Sequence, residues 1–178
     1  MYLKIETVVE DVGVKLLTLA VTRLPHDVKE ALQRAYREEE SEAGKTQLEA
    51  ILKNIDLAER TETPVCQDTG VIIFYVRAGA DMKGLDKIEP SLKKATVRAT
   101  KEVPLRPNAV DPFSQKNSGD NTGNYIPFIN WEIVPGNAVE ITVMPKGGGS
   151  ENVCTLGMIP PGEGVKGLKK FVVDAVVK

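Results

Sequence analysis

One continuous apolar stretch, Val71-Ile72-Ile73-Phe74-Tyr75-Val76, constrains the fold of this chain more than any other. It is short, rich in β-branched and aromatic residues, and bounded by turn residues, so it reads as a buried strand. Immediately before it stands Thr63-Pro64-Val65-Cys66-Gln67-Asp68-Thr69-Gly70, in which a thiol, an amide, a carboxylate and a hydroxyl follow one another between a proline and a glycine. These side chains belong to the loop that enters a core strand, where a rigid element can aim them at a ligand. A cysteine can offer a thiolate to a soft metal, and a neighbouring carboxylate can move protons. The same residues also read as a plain turn, with Asp68 and Thr69 bonding their own backbone and Cys66 packed inside.

The 178 residues suit one domain with a real core, or a domain with an extension. A net charge of −2 leaves no excess of positive charge to release counterions, which argues against nucleic-acid binding. No apolar run approaches membrane length, and no signal-peptide core follows Met1, so no membrane partner is expected. Two cysteines cannot build a disulfide framework, and a reducing cytoplasm is the expected location. The single histidine, His26, stands at a helix start with no second ligand at suitable spacing, and reads as structural.

Three helices are expected in the first third. In Ile5–Thr22, Val8, Val9, Val12, Leu16 and Leu19 recur at roughly helical spacing, with a weak spot at Gly13. Pro25 opens the second, with Asp27 and Glu30 favourable to the dipole and Val28, Leu32 and Ala35 on one face. The third runs from Ser41 to Arg60, with Leu48, Ile51, Leu52, Ile55 and Leu57-Ala58 as its apolar side. Beyond the first strand, Leu85–Lys101 reads as a helix broken or begun near Pro90. The segment from Pro104 to Pro112 cannot be regular, because its three prolines restrict themselves and the residues before them. Residues 114–123 are polar and read as mobile. Tyr125–Val134 and Ala138–Met144 read as strands joined by the turn Pro135-Gly136-Asn137, with Val139, Ile141 and Val143 alternating inward. Lys146-Gly147-Gly148-Gly149-Ser150-Glu151-Asn152 can turn backbone N–H groups toward an anion, or be a flexible loop, with a Ser cap and a short helix to follow. A last helix, Val165–Lys178, stops in mid-pattern, and the chain reads as cut there.

Taken together and in order, Cys66-Gln67-Asp68-Thr69-Gly70, Leu105-Arg106-Pro107-Asn108-Ala109-Val110-Asp111-Pro112 and Lys146-Gly147-Gly148-Gly149-Ser150-Glu151-Asn152 resemble the iron–sulfur (class I) fumarate hydratase and L-tartrate dehydratase family, in its α subunit or N-terminal catalytic region. The resemblance implies reversible addition of water to a four-carbon dicarboxylate at a [4Fe–4S] cluster held by three cysteines. It matches Cys66 to one cluster ligand, Asp68 to an acid–base residue, Gln67 and Arg106 to substrate contacts, and Gly149 to a backbone N–H contact. Thiolates suit such clusters, and Arg pairs bidentately with carboxylate. Cys154 matches no ligand position and reads as a packed small hydrophobe. The other ligands and cationic contacts would come from a β subunit or C-terminal domain, in an oligomeric assembly, so the chain alone is expected to be inert.

The fold expected is α+β, a helical N-terminal layer packed on a largely antiparallel sheet with the site loops at one edge. Within a single domain, residues 1–62 form the helical layer, 63–164 the sheet and site loops, and 165–178 the terminal helix. Two rival functions remain: a non-catalytic scaffold or dicarboxylate-binding subunit without a cluster, and an enzyme using Cys66 and Asp68 with a different metal.

Overall fold

A computed structural model describes residues 4–103 and 105–177. Met1, Pro104 in the proline-rich segment and Lys178 at the expected end of the last helix lie outside the described residues. The chain divides into two compact units, with the boundary between Gly147 and Gly148. That boundary falls inside the expected 63–164 region.

The first unit is α+β. Its elements are α1 (Ile5–Thr22), α2 (His26–Glu38), α3 (Glu42–Thr61), β1 (Val71–Gly79), α4 (Leu85–Glu102), β2 (Phe128–Val134) and β3 (Val139–Lys146). The sheet is mixed, in the order β2-β1-β3: β1 pairs parallel with β2 and antiparallel with β3. The turn at Pro135-Gly136-Asn137 therefore does not join neighbours. It carries the chain over the end of β1, where Ala80 N donates to Val134 O and Asp81 N to Gly136 O. Gly79 makes room for this crossing: a Cβ there would stand 2.1 Å from the Gly136 carbonyl oxygen.

Alternation along β1 sends Ile72, Phe74, Val76 and Ala78 into the core, where α1 and α4 cover them. Val139, Ile141 and Val143 of β3 pack half-buried against the same cluster, as their spacing predicts. Of the first three helices only α1 joins that cluster; its partner over the sheet is α4. α2 buries no residue, and α3 buries only Ile55 and Ala58. The two are tied by Lys29, whose Nζ lies 2.7 Å from Asp56 and 3.6 Å from Glu59.

Two expectations change. In α1 the buried line is Val9, Gly13, Val14, Leu17 and Val21, while Val8 and Val12 are exposed. Gly13 is the seam rather than a weak spot, since a Cβ there would lie 2.7 Å from the Cβ of Ala95. α4 also runs unbroken through Pro90 from Leu85. Proline inside a helix costs about 3 kcal/mol. Fully buried Ile88 and Leu92 on either side each return about 1.5–3 kcal/mol, so the helix survives.

The second unit holds α5 (Gly148–Asn152), one 3-10 turn at Pro161–Glu163 and α6 (Gly164–Val177). Its glycines 148 and 149 lie within α5, so Ser150 does not cap the helix. Within it, Gly157 faces the Phe171 ring and Gly167 is the one buried residue of α6. Cys154 is exposed, with Sγ 3.4 Å from the Ser150 carbonyl, and not packed as the sequence suggested. It follows a five-residue helix that has no buried residue to pack against.

Gly13→Ala tests the seam. Helix propensity alone favours alanine by about 1 kcal/mol. Overpacking typically costs about 1–3 kcal/mol, so a net loss of stability is expected in urea unfolding. Adding Ala95→Gly should restore most of it, and failure of that rescue would show that the seam does not depend on this contact.

Candidate functional site

The loop before β1 is anchored on both sides before it reaches its polar residues. Val65 N donates to Val21 O at the end of α1, 2.9 Å, and Asn54 Nδ2 of α3 donates to Val65 O, 2.8 Å. Cys66 and Gln67 then stand exposed, Asp68 is half-buried and Thr69 is buried. Cys66 and Asp68 line one small cleft of about 140 Å³ together with Arg23, Thr69 and Pro145. Arg23, which follows α1, was not singled out from the sequence.

Asp68 is where separate parts of the chain meet. Its Oδ1 accepts from Gly70 N at 3.0 Å and from Asn108 Nδ2 at 3.1 Å. A Cβ on Gly147 would lie 3.4 Å from its Oδ2. Gly70 has φ +80°, and a Cβ there would stand 2.7 Å from backbone atoms of Lys146, so only glycine fits the closing of β1 onto the end of β3. Thr69 ties the proline-rich segment to this point: its Oγ1 accepts from Arg106 N at 3.0 Å and lies 3.4 Å from Arg106 O. The backbone of Arg106 is thus held while its side chain is exposed.

The expected residues are thus partly assembled. Cys66 and Asp68 share the cleft, Gln67 stands between them in the loop, and Arg106 is joined through its backbone. Gly149 belongs to the other unit, where it is exposed and an added Cβ would meet nothing within 4 Å. Among the described residues no group of three or more His, Cys, Asp or Glu side chains is gathered as for a metal ion, and no helix is long and apolar enough to cross a membrane.

A family model described as fumarate hydratase (Fumerase) matches residues 10–178. The chain belongs to that family. It is 42% identical over 172 residues to a Methanocaldococcus jannaschii protein provisionally named L(+)-tartrate dehydratase subunit alpha, covering 94% of this chain and 60% of that one. It is 39% identical over 160 residues to the L(+)-tartrate dehydratase subunit alpha of Escherichia coli strain UTI89, covering 87% of this chain and 52% of that one. The K12 strain's subunit alpha is 38% identical over the same share of each. The chain spans between about half and three fifths of the length of these curated relatives.

In this fumarate hydratase family member, residues 111–122, which overlap the polar 114–123 stretch, are linked by hydrogen bonds from their own polar side chains. The Asp111 carboxylate accepts from Ser114 N at 2.6 Å, Ser114 Oγ at 2.8 Å and Phe113 N at 3.2 Å. Asn117 Nδ2 reaches Pro107 O, and Asp120 Oδ1 accepts from Thr122 N and Oγ1. Asn121 is 2% exposed at φ 61°, a left-handed conformation that asparagine tolerates. Its Oδ1 accepts from Asn108 N at 2.7 Å, and its Nδ2 donates to Thr100 Oγ1 at 3.1 Å and Arg106 O at 3.2 Å. The sequence signal for it was weak: an asparagine between two glycines in a polar run.

Hydrogen bonds from Ser114 hold Asp111 below the usual carboxylate range, and hydrogen bonds from Thr122 do the same for Asp120. A depressed folded-state value gives stabilisation that is full above the ordinary carboxylate range and lost as pH falls through the lower folded value. Residues 111–122 should therefore loosen first in acid, read as faster amide exchange there, and Asp111→Asn with Asp120→Asn should flatten that dependence. Asn121→Ala should cost about 1–3 kcal/mol at neutral pH, because it strands the Asn108 N–H, and denaturant titration measures it.

Proposed function

We propose that this chain supplies one part of a hydro-lyase active site that reversibly adds water across the double bond of a four-carbon dicarboxylate, as in fumarate hydration or its reverse on tartrate. The observation that carries this reading is Asp68. Its carboxylate is the point where Gly70, Asn108 and Gly147, one from each of three separated motifs, come together beside an exposed thiol. The names of the relatives, subunit alpha of L(+)-tartrate dehydratase, support the reaction class and a second subunit or domain as partner.

In this reading Asp68 transfers the proton, since it is the fixed carboxylate of the cleft. Arg106 pairs with one substrate carboxylate, its backbone fastened so that only the side chain must search. Gln67 offers an amide beside Asp68, and the Gly149 N–H a further donor. Among the described residues an added Cβ at Gly149 would meet nothing within 4 Å.

Whether these residues suit a [4Fe–4S] cluster rests on the donor set. Cys66, an exposed thiol at the mouth of the cleft, suits one ligand position. Three thiolates are needed, and the described residues gather no such group, so further ligands would come from outside them. When bound, the cluster supplies Lewis acidity toward a substrate oxygen. Cys66, Gln67 and Arg106 are exposed, so exclusion of water falls to the partner.

The test uses the enzyme assembled with its partner and kept free of oxygen. Asp68→Asn should lower kcat on the order of 100-fold with the cluster retained. Arg106→Ala should chiefly raise KM, because the carboxylate it holds is charged in both substrate and transition state. Cys66→Ser should lose iron and activity while the melting temperature holds. Iron retained in Cys66→Ser would remove the ligand assignment, and iron-free turnover of the unaltered assembly would favour a site without a cluster.

A further inference from the structure

We propose that Asn108 is a positioning residue for Asp68, orienting its carboxylate through a side-chain amide that Asn121 anchors in turn to α4. This rests on the reading of Asp68 as the proton-transferring group. A carboxylate turns freely about its last torsion, because the preference there is broad and two-fold. The bond from Gly70 N, 3.0 Å, is local and fixes Oδ1 from one direction only. Asn108 Nδ2 reaches the same oxygen at 3.1 Å from forty residues away in sequence, and two donors on one oxygen set the plane of the carboxylate.

Asn108 can do this only if it is held itself. Its backbone N donates to Asn121 Oδ1 at 2.7 Å. Asn121 is 2% exposed and is fixed through Nδ2 to Thr100 Oγ1, on α4, and to Arg106 O. The path from a helix in the core to the reacting carboxylate is therefore a chain of hydrogen bonds through two asparagines. Asn121 Nδ2 also donates to Arg106 O, so the acid–base group and the proposed carboxylate-binding group share one support. Displacing such a group by about 1 Å can cost on the order of 100-fold in rate.

The experiment is a double-mutant cycle in the assembled, cluster-loaded enzyme, with Asn108→Ala and Asn108→Leu each made alone and Asn108→Ala also made on Asp68→Asn. Asn108→Leu keeps nearly the size and the backbone bond to Asn121, removes the donor and adds no charge, so it carries the test even if the alanine variant fails to fold. The expected result is a fall in kcat of roughly 10- to 100-fold in both single variants, with KM within about twofold and iron content and melting temperature unchanged. On the Asp68→Asn background the Asn108 change should add no further loss, since the residue acts through Asp68. If Asn108→Leu keeps full turnover while Asp68→Asn collapses it, the inference is wrong and the reading of Asp68 stands. An equal further loss on the Asp68→Asn background also overturns the inference, by showing that Asn108 acts elsewhere. If Asp68→Asn itself keeps turnover, the reading beneath the inference falls, and the inference with it.

Discussion

The site depends on one steric allowance at the far end of the central strand. β1 can lie between β2 and β3 only if the chain joining them passes over its C-terminal end. The Gly136 carbonyl sits 2.1 Å from where a Cβ of residue 79 would be, so only glycine permits that passage. Gly79 N then donates to Ala138 O at 2.8 Å and Asp81 N to Gly136 O at 2.9 Å, which fixes the register of the returning strand. β3 consequently ends opposite the beginning of β1, with Val71 against Lys146. That pairing brings Gly147 to Asp68. A hairpin of β2 with β3 would leave the first and third motifs apart.

The sequence made the central strand and the helix spans readable, because a β-branched apolar run and capped periodic segments carry their own physical signature. It did not show which face of α1 is buried. Valines stand on several sides of that helix, and the deciding contact is the close approach of Gly13 to Ala95, which depends on a residue with no side chain. Nor did it show the strand order. Pro135-Gly136-Asn137 makes the same tight turn whether it joins neighbours or spans a strand between them. Residues 114–123 are hard to read for a related reason: Asn and Asp bond water and backbone equally well, and composition does not say which. The motifs marked Cys66, Gln67, Asp68 and Arg106 as candidates, and the cleft gathers Cys66 with Asp68. Asn121, which holds the Arg106–Asn108 backbone, could not be weighed without the fold.

The two halves of this arrangement are held by different forces. β1 is fixed by burial against α1 and α4, with Phe74, Leu17 and Leu92 fully enclosed and each contributing about 1.5–3 kcal/mol. The Arg106–Asn108 segment has little apolar surface and is held by hydrogen bonds, each worth about 0.5–1.5 kcal/mol net. The weaker bonds suffice because they end on the stronger element. Thr100 lies on α4, its Oγ1 2.8 Å from Thr96 O and 3.1 Å from Asp120 O, and it accepts Asn121 Nδ2. The helix that covers the sheet is thus also the footing of the polar network.

From this follows an asymmetry in how the candidate site is built. Behind Asp68 everything is satisfied and enclosed: Thr69 is 8% exposed, Asn121 is 2% exposed, and no described side-chain polar atom is buried without a partner. In front of it Cys66, Gln67 and the Arg106 side chain face solvent. A site meant to work unaided would enclose its reactive groups, since charge interactions strengthen only when water is excluded. Here the first unit fixes the orientation of Asp68 while Cys66, Gln67 and Arg106 stand exposed. Such exposure supports the reading proposed above, in which this chain supplies one wall of a shared site.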